Sequence, residues 1–354
     1  MKKILTGIIL LLTLAFFAGC ASMQRVDAES WSMDTRITIS VFYNGRTWGS
    51  EARRHQQIAD DAAALAYMFD LLFDRFNPES DISRINHARG EYVEVNQHTI
   101  NILEYALYFR EMTGGRFDVT IGAVMDLWDF GFYTEGHVPA RADIERALEG
   151  VGTGIYISGN RVRLGHPEAR LDLGAIAKGY AADYVADYLR THDVAAIVNF
   201  WGDIALVGDR PDGELWGVGI SNPFSSMVFD DNLFGLFVTG ETAVVTSGTT
   251  ARDFMAGGLH FHHIMDVDTG FPVQTPFASV SVVAENTLWG EMLTSAFYTM
   301  HHEDFSEMLD TLENVFIAAI DWHGNPIVSA GIGPFGHPDT IIPMAWYGEI
   351  PSGN

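Results

Sequence analysis

The sequence predicts an α+β fold: a single large domain of mixed, mainly antiparallel strands with packed helices. Three observations predict it. Apolar residues make up 47% of the 354 residues and charged residues 19%, enough for a sizeable core. Helical stripes dominate the first half, and short strands dominate from Val194 onward. The strands and helices do not alternate as regular βαβ units, and no Pro/Ser-rich linker splits the body, so neither a doubly wound sheet nor two domains is expected.

The N-terminus reads as an address. Lys2 and Lys3 precede an apolar run from Ile4 to Phe17, the n-region and h-region of an export signal. The run is shorter than the roughly 20 apolar residues of a membrane span. It ends in Phe17-Ala18-Gly19-Cys20, small residues ahead of the chain's one cysteine, which is similar to a bacterial lipobox. Residues 1–19 are therefore read as a lipoprotein signal peptide and Cys20 as the lipidated residue. Residues 20–30 read as a polar tether, and 31–345 as the folded domain, lipid-anchored to a bacterial membrane on the extracytoplasmic side. A single cysteine excludes an internal disulfide framework. A net charge of -25 excludes a nucleic-acid backbone binder, which needs a basic footprint.

The elements follow in order. Arg36 to Tyr43 alternates, with Ile37, Ile39 and Val41 on one face, and predicts a strand. Ile58, Ala62, Leu65, Phe69, Leu72 and Phe76 step by three and four, and predict a helix stopped at Asn77-Pro78. A helix is expected over 97–112 with Ile100, Leu103 and Leu107 on one side. A hairpin is expected at 155–164 around Ser158-Gly159-Asn160, and a helix over 175–191. Strands are expected at 194–200, 203–208, 215–220, 235–239, 243–247, 260–265 and 278–284. Helices near 286–300 and 304–313 and strands at 315–320 and 326–330 complete the chain.

Four stretches combine glycines and polar residues beyond what packing requires. Asn77 to Asn86 reads locally as a helix stop followed by an N-cap at Ser80 or Asp81. In Thr113 to Gly122, Asp118 and Thr120 sit in an apolar segment, where a buried carboxylate needs a partner. Leu171-Asp172-Leu173-Gly174-Ala175 leads into a helix whose first turn holds Lys178, a costly place for a cation unless an anion meets it. His260, His262 and His263 invite a metal reading, but alternation puts His263 on the opposite strand face from the other two.

Together these stretches resemble the bacterial FAD:protein FMN transferases, the ApbE family, over roughly residues 31–330. The resemblance runs in order through Asn77-Pro78 to Asn86, Thr113-Gly114-Gly115 to Asp118, Leu171 to Ala181, Thr246-Ser247-Gly248, and His263-Ile264-Met265-Asp266 to Pro272. It implies that FAD is bound with Mg2+ at its pyrophosphate and that a threonine of an acceptor flavoprotein attacks the flavin-side phosphorus. AMP leaves and FMN stays attached. It also implies that Met33, Thr35, Asn77, Arg116, Phe117, Asp118, Asp172, Lys178 and Ile264 contact FAD. By the same resemblance His263 is the base, and Ala175, through its carbonyl, and Thr294 hold the metal.

Three places depart from the family pattern. Met33-Asp34-Thr35 stands where the family has Met-Gly-Thr, and Trp201 stands where it has a glycine. The family's metal-binding Asp and Thr lie four apart at a helix start. Alignment on Leu288 places Gly290 and Thr294 there, with Glu291 next door as a substitute carboxylate. A site lacking that carboxylate leaves a second reading, an FAD-binding or FAD-hydrolysing lipoprotein that would release FMN and AMP. The acidic body and the exposed address leave a third, a non-catalytic solute-binding lipoprotein.

Overall fold

The computed structural model describes residues 22–328 apart from 131–135, 225–231, 251, 302, 305–306, 309–310 and 313–314, together with Ile342 and Pro343. The signal peptide, Cys20, the far end of the domain expected to reach 345, and much of the helix expected at 304–313 lie outside the described residues.

The chain opens with a long hairpin, β1 (Ser22–Ser32) and β2 (Thr35–Gly45), paired residue by residue from Ser22↔Gly45 to Ser32↔Thr35. Residues 22–30 are thus not a tether but most of an edge strand. The sequence hides this because the strand buries only Ala28 and Ser32, while Arg25, Asp27 and Glu29 face solvent as edge charges. β2 buries Ile37, Ile39 and Val41 as its alternation predicts.

Next come α1 (Ser50–Phe73), α2 (Asp81–His87), β3 (Val93–Glu94) and α3 (Gln97–Met112). α1 buries Ile58, Ala59, Ala62, Ala66, Phe69 and Phe73 and ends at Asp74. Phe76 therefore lies past the helix and is exposed, with the Arg75 guanidinium 4.6 Å above its ring. Ser80 caps α2, accepting from Ser83 N at 3.0 Å. α4 (Gly122–Trp128), α5 (Arg141–Leu148), the expected hairpin β4 (Ile155–Ser158) and β5 (Arg161–Leu164), and α6 (Ala177–Thr191) complete the first half.

The second half is β6 (Ala195–Phe200), β7 (Asp203–Val207), β8 (Trp216–Ser221), β9 (Asn232–Val238), β10 (Ala243–Gly248), β11 (Asp253–Ala256), β12 (Leu259–His262), β13 (Phe277–Ala284), α7 (Thr287–Thr299), β14 (Phe316–Asp321), β15 (Pro326–Val328) and β16 (Ile342–Pro343). Eight strands form one sheet in the order β1-β2-β6-β7-β10-β13-β14-β15, every pair antiparallel. The α+β expectation holds. α1, α6 and α7 cover one face of the sheet over the main core. A small sheet of β8, β9 and β16 serves the other face, where Trp216, Val218 and Leu236 meet Leu206, Val244 and Val283. A third cluster, Trp128, Ile144, Phe261 and Met265, fastens the segment after β12 to α4 and α5. Trp128 Nε1 donates to the Gly270 carbonyl there at 2.8 Å.

The two departures at glycine positions occur at the same kind of turn. Met33-Asp34 (φ 53° and 57°) and Trp201-Gly202 (φ 54° and 108°) are two-residue hairpin connections in left-handed backbone. Such turns match strand twist and favour glycine. Asp tolerates the conformation, and Trp201, about half exposed, turns its side chain outward. Asp34→Gly and Trp201→Gly are each expected to raise stability in urea denaturation by about 0.5–1 kcal/mol by releasing left-handed strain. Unchanged midpoints in both would show that these turns store none.

Candidate active site

The site is built where α6 and α7 cross. A Cβ at Gly179 would sit 2.8 Å from Leu288 Cα and 2.8 Å from the Thr287 carbonyl, so only glycine permits this approach. Asp183, one turn further along α6, caps the start of α7. Its carboxylate accepts from Thr287 N and Leu288 N at 2.8 Å each and from the Thr287 hydroxyl. Asn286 accepts from Trp289 N at 2.8 Å. With α7 pinned this way, Glu291 points back at the first turn of α6.

Glu291 Oε2 accepts from Gly179 N at 2.7 Å, and Oε1 lies 2.5 Å from Lys178 Nζ. In a regular helix the Gly179 N–H would bond the Ala175 carbonyl four residues back. Lys178 also pairs with Asp203 at the start of β7. The cation that looked costly in a first helical turn is thus held between two buried carboxylates. Burial pushes Asp203 and Glu291 above the usual carboxylate range, with Lys178 opposing the rise. Despite its own burial, Lys178 is held above its usual value by the two acids.

His263 follows β12. Its N–H donates to the Arg252 carbonyl at 3.2 Å, and its Nδ1 lies 3.3 Å from the same oxygen. A carbonyl only accepts, so Nδ1 carries the ring proton and Nε2 is the acceptor nitrogen. Burial, then the charges of Arg252 and Lys178, push the imidazole down to about 4, while Asp172 opposes them. The ring is neutral at physiological pH, without the protonated minority that an unperturbed histidine near 6.5 keeps there. His262, buried where His263 is half-buried, is likewise pushed down to about 4, with its Nε2 on the Val273 carbonyl at 3.0 Å. Among the described residues no group of three or more His, Cys, Asp or Glu is placed to hold a metal, so the histidine triplet is not a metal centre.

Other expected residues converge on this centre. Asp172 pairs with Arg75 at 3.3 Å and accepts from Gly174 N at 2.7 Å. Arg116 pairs with Asp268 in the turn beyond His263. Met33 N donates to Asp70 Oδ1 at 2.6 Å, and Asp34 lies 3.9 Å from Arg252, which brings the β1–β2 turn beside the His263 segment. Thr35 is buried at the base of that turn, and Ile264 is half-buried with its carbonyl accepting from Val273 N at 3.0 Å. Ala175 is exposed at the start of α6.

Three of the expected residues have partners within the chain. The Phe117 side chain is a core residue against Phe109, ring centroids 5.1 Å apart. Asp118 is committed to Arg110 at 2.5 Å and to Thr120, the partner its burial demanded. Asn77 Oδ1 closes its own turn on Glu79 N at 3.1 Å. The helix register also shifts by one residue. A Cβ at Gly290 would stand 2.7 Å from Val245 Cγ2, so position 290 faces the sheet and has no room for a carboxylate. Thr294 faces the sheet too, fully buried, with its hydroxyl on Ser247 Oγ at 2.7 Å and on the Glu291 carbonyl. The pair four apart on the α6 side of α7 is Glu291 and half-buried Ser295.

Arg75, Asp203 and Arg252 are the residues that sequence reasoning missed. Arg75 bridges Asp172, Asp126 (2.8 Å) and the Gly122 carbonyl (3.2 Å) from just past a helix stop, with no pattern to mark it. Asp203 carried a signal as the last residue of Asn199-Phe200-Trp201-Gly202-Asp203, the stretch that resembles the family's Asn-x-Gly-Gly-Asp.

A neutral histidine, a lysine clamped between two acids and the N-terminus of α6 lie together in this site. The chain belongs to the ApbE family, which matches residues 33–319. A relative named FAD:protein FMN transferase, from Klebsiella pneumoniae (strain 342), is 33% identical over 243 residues, covering 67% of this chain and 73% of its own. Another of that name, from Vibrio cholerae (strain O395), is 29% identical over 309 residues, covering 84% and 88%. The solved ApbE protein of Thermotoga maritima superposes with a TM-score of 0.76 at 28% identity, covering 86% of this chain and 97% of that one. The flavin transferase ApbE from Vibrio cholerae shares the fold with a TM-score of 0.72 at 24% identity, covering 89% and 100%.

Two outcomes check this geometry. Gly290→Asp is expected to cost about 1–3 kcal/mol in urea denaturation through overpacking against Val245; a neutral effect would return position 290 to the site. In a 15N-histidine NMR titration, with His263→Gln assigning the signal, His263 is expected to titrate near pH 4. A midpoint near the unperturbed value of about 6.5 would contradict the burial that sets its charge.

Proposed function

We propose that this protein transfers FMN from FAD to a threonine hydroxyl of an exported or membrane flavoprotein, with Mg2+ and with release of AMP, while anchored by a lipid on Cys20. The observation that carries the reading is His263: a neutral imidazole with Nε2 as acceptor, in the field of Lys178 and Asp172. His263 takes the acceptor hydroxyl's proton as its oxygen attacks the flavin-side phosphorus. The bond to the bridging oxygen breaks and AMP carries that oxygen away.

The charges around the site support a divalent cation. Arg75, Arg116, Lys178 and Arg252 face six carboxylates, Asp34, Asp126, Asp172, Asp203, Asp268 and Glu291. A pyrophosphate brought to this surplus of acid needs compensating positive charge. Hard oxygen donors suit Mg2+: the Glu291 carboxylate, the Ala175 carbonyl and the Ser295 hydroxyl. When bound, the ion supplies charge neutralisation on phosphate oxygens. Glu291 offers the carboxylate that an alignment on Gly290 lacked, which weakens the motive for the FAD-hydrolysing reading.

Incubation with FAD, Mg2+ and a threonine-bearing flavoprotein domain should yield covalent flavin and AMP. Free FMN with AMP would make the protein a hydrolase, and unchanged FAD a binder. His263→Ala should lower turnover by about 10²–10⁴-fold with FAD binding nearly intact. Normal turnover in that variant would move the base elsewhere.

A further inference from the structure

The β1–β2 ribbon joins two ends of different character. Its turn end, Met33-Asp34, belongs to the candidate active site through Asp34 and Arg252. Its open end begins at Ser22, paired with Gly45. Cys20 is two residues upstream, and two extended residues reach at most about 7 Å. A lipid on Cys20 therefore brings the open end of the ribbon to the membrane with no slack.

The residues that follow Gly45 suit that surface. Arg46, Thr47 and Trp48 are all exposed, Trp48 at 68%. The Arg46 guanidinium lies 5.4 Å from the Trp48 ring centroid, and the Tyr43 hydroxyl donates to the Arg46 carbonyl at 3.1 Å. A tryptophan places its apolar ring and its N–H at the boundary of acyl chains and headgroups, and arginine meets lipid phosphate. The surroundings are close to neutral in a chain of net charge -25. Arg46, Arg53 and Arg54 lie beside Glu51 in the chain, and the loop and turn that contact this end carry Arg210, Asp193, Asp209, Asp212 and Glu214. The Asn44 side chain holds the 209–214 loop at this end, donating to the Pro211 carbonyl at 2.7 Å, and Arg54 holds the turn at His192.

We infer that Arg46 and Trp48 form a bilayer-docking patch, and that the β1–β2 ribbon stands the active-site turn away from the lipid surface. Ten residue steps at about 3.3 Å each give a height of up to about 33 Å. The inference rests on the reading of Cys20 as lipidated. A lipid anchor alone leaves the body free to tumble, whereas a second contact sets its orientation. The acceptor threonine is then reached at a set height above the membrane.

The test uses the full chain reconstituted into phosphatidylcholine/phosphatidylglycerol vesicles, with and without lipids brominated near the headgroup end of the acyl chains. Intact mass first reads the lipid on Cys20. Brominated lipid should lower tryptophan emission of the unaltered protein, and Trp48→Ala should remove most of that loss. Trp31→Ala, which removes a 70% exposed tryptophan at the far end of β1, should leave it unchanged. Equal quenching in the unaltered protein and Trp48→Ala, or quenching lost in Trp31→Ala instead, overturns the inference while leaving the anchor intact. A chain carrying no lipid on Cys20 overturns both, and the mass separates that case from the others.

Discussion

The close crossing of α6 and α7 at Gly179 is the constraint on which the site depends. It requires a glycine because backbone meets backbone there. It also needs Asp183 and Asn286, because the first amides of α7 have no partner of their own inside the helix. Given the crossing, Glu291 lands on the Gly179 amide and on Lys178, and Lys178 is swung against Asp203. Three elements distant in sequence are thereby locked around one ammonium group.

That lock shapes the electrostatics of everything near it. A half-buried cation held by two buried acids stays charged, and its field adds to desolvation in keeping His263 neutral. His262 and His263, both pushed down to about 4 from 6.5, resist protonation in the fold, so the stability they contribute is present above pH 6.5 and is lost as pH falls toward 4. Asp183, pushed up to about 6 from 3.8 by burial, works the other way: its contribution is lost as pH rises from 3.8 through 6. The two trends oppose each other across that window. The burial of Asp183 thus offsets part of the acid sensitivity of the histidine segment, while its capping hydrogen bonds to α7 hold that rise down.

The ribbon at the N-terminus shows the limits of pattern reading from the other side. β1 looked like a tether because polarity on both faces is what an edge strand and a disordered segment have in common. Its partner residues on β2, not its own composition, make it a strand. The misplaced Gly290 has a similar origin. On a helix, one residue of register is a turn of 100°, and only the position of Val245 tells which face is the sheet and which is α6.

The sequence by itself determined the fold class, most element positions, the family resemblance and the candidates Lys178, Asp172 and His263. These are written in local periodicity, turn residues and ordered motifs, which depend on neighbours in the chain. Tertiary structure alone decided that Lys178 sits between Asp203 and Glu291, that Asp118 belongs to Arg110, that Arg75 and Arg252 join the site, and that His263 is neutral. Apart from the Asp118–Arg110 pair, eight positions apart, each of those rests on contacts between residues from tens to more than a hundred positions apart, or on burial, and neither spacing nor composition encodes a distance across the fold.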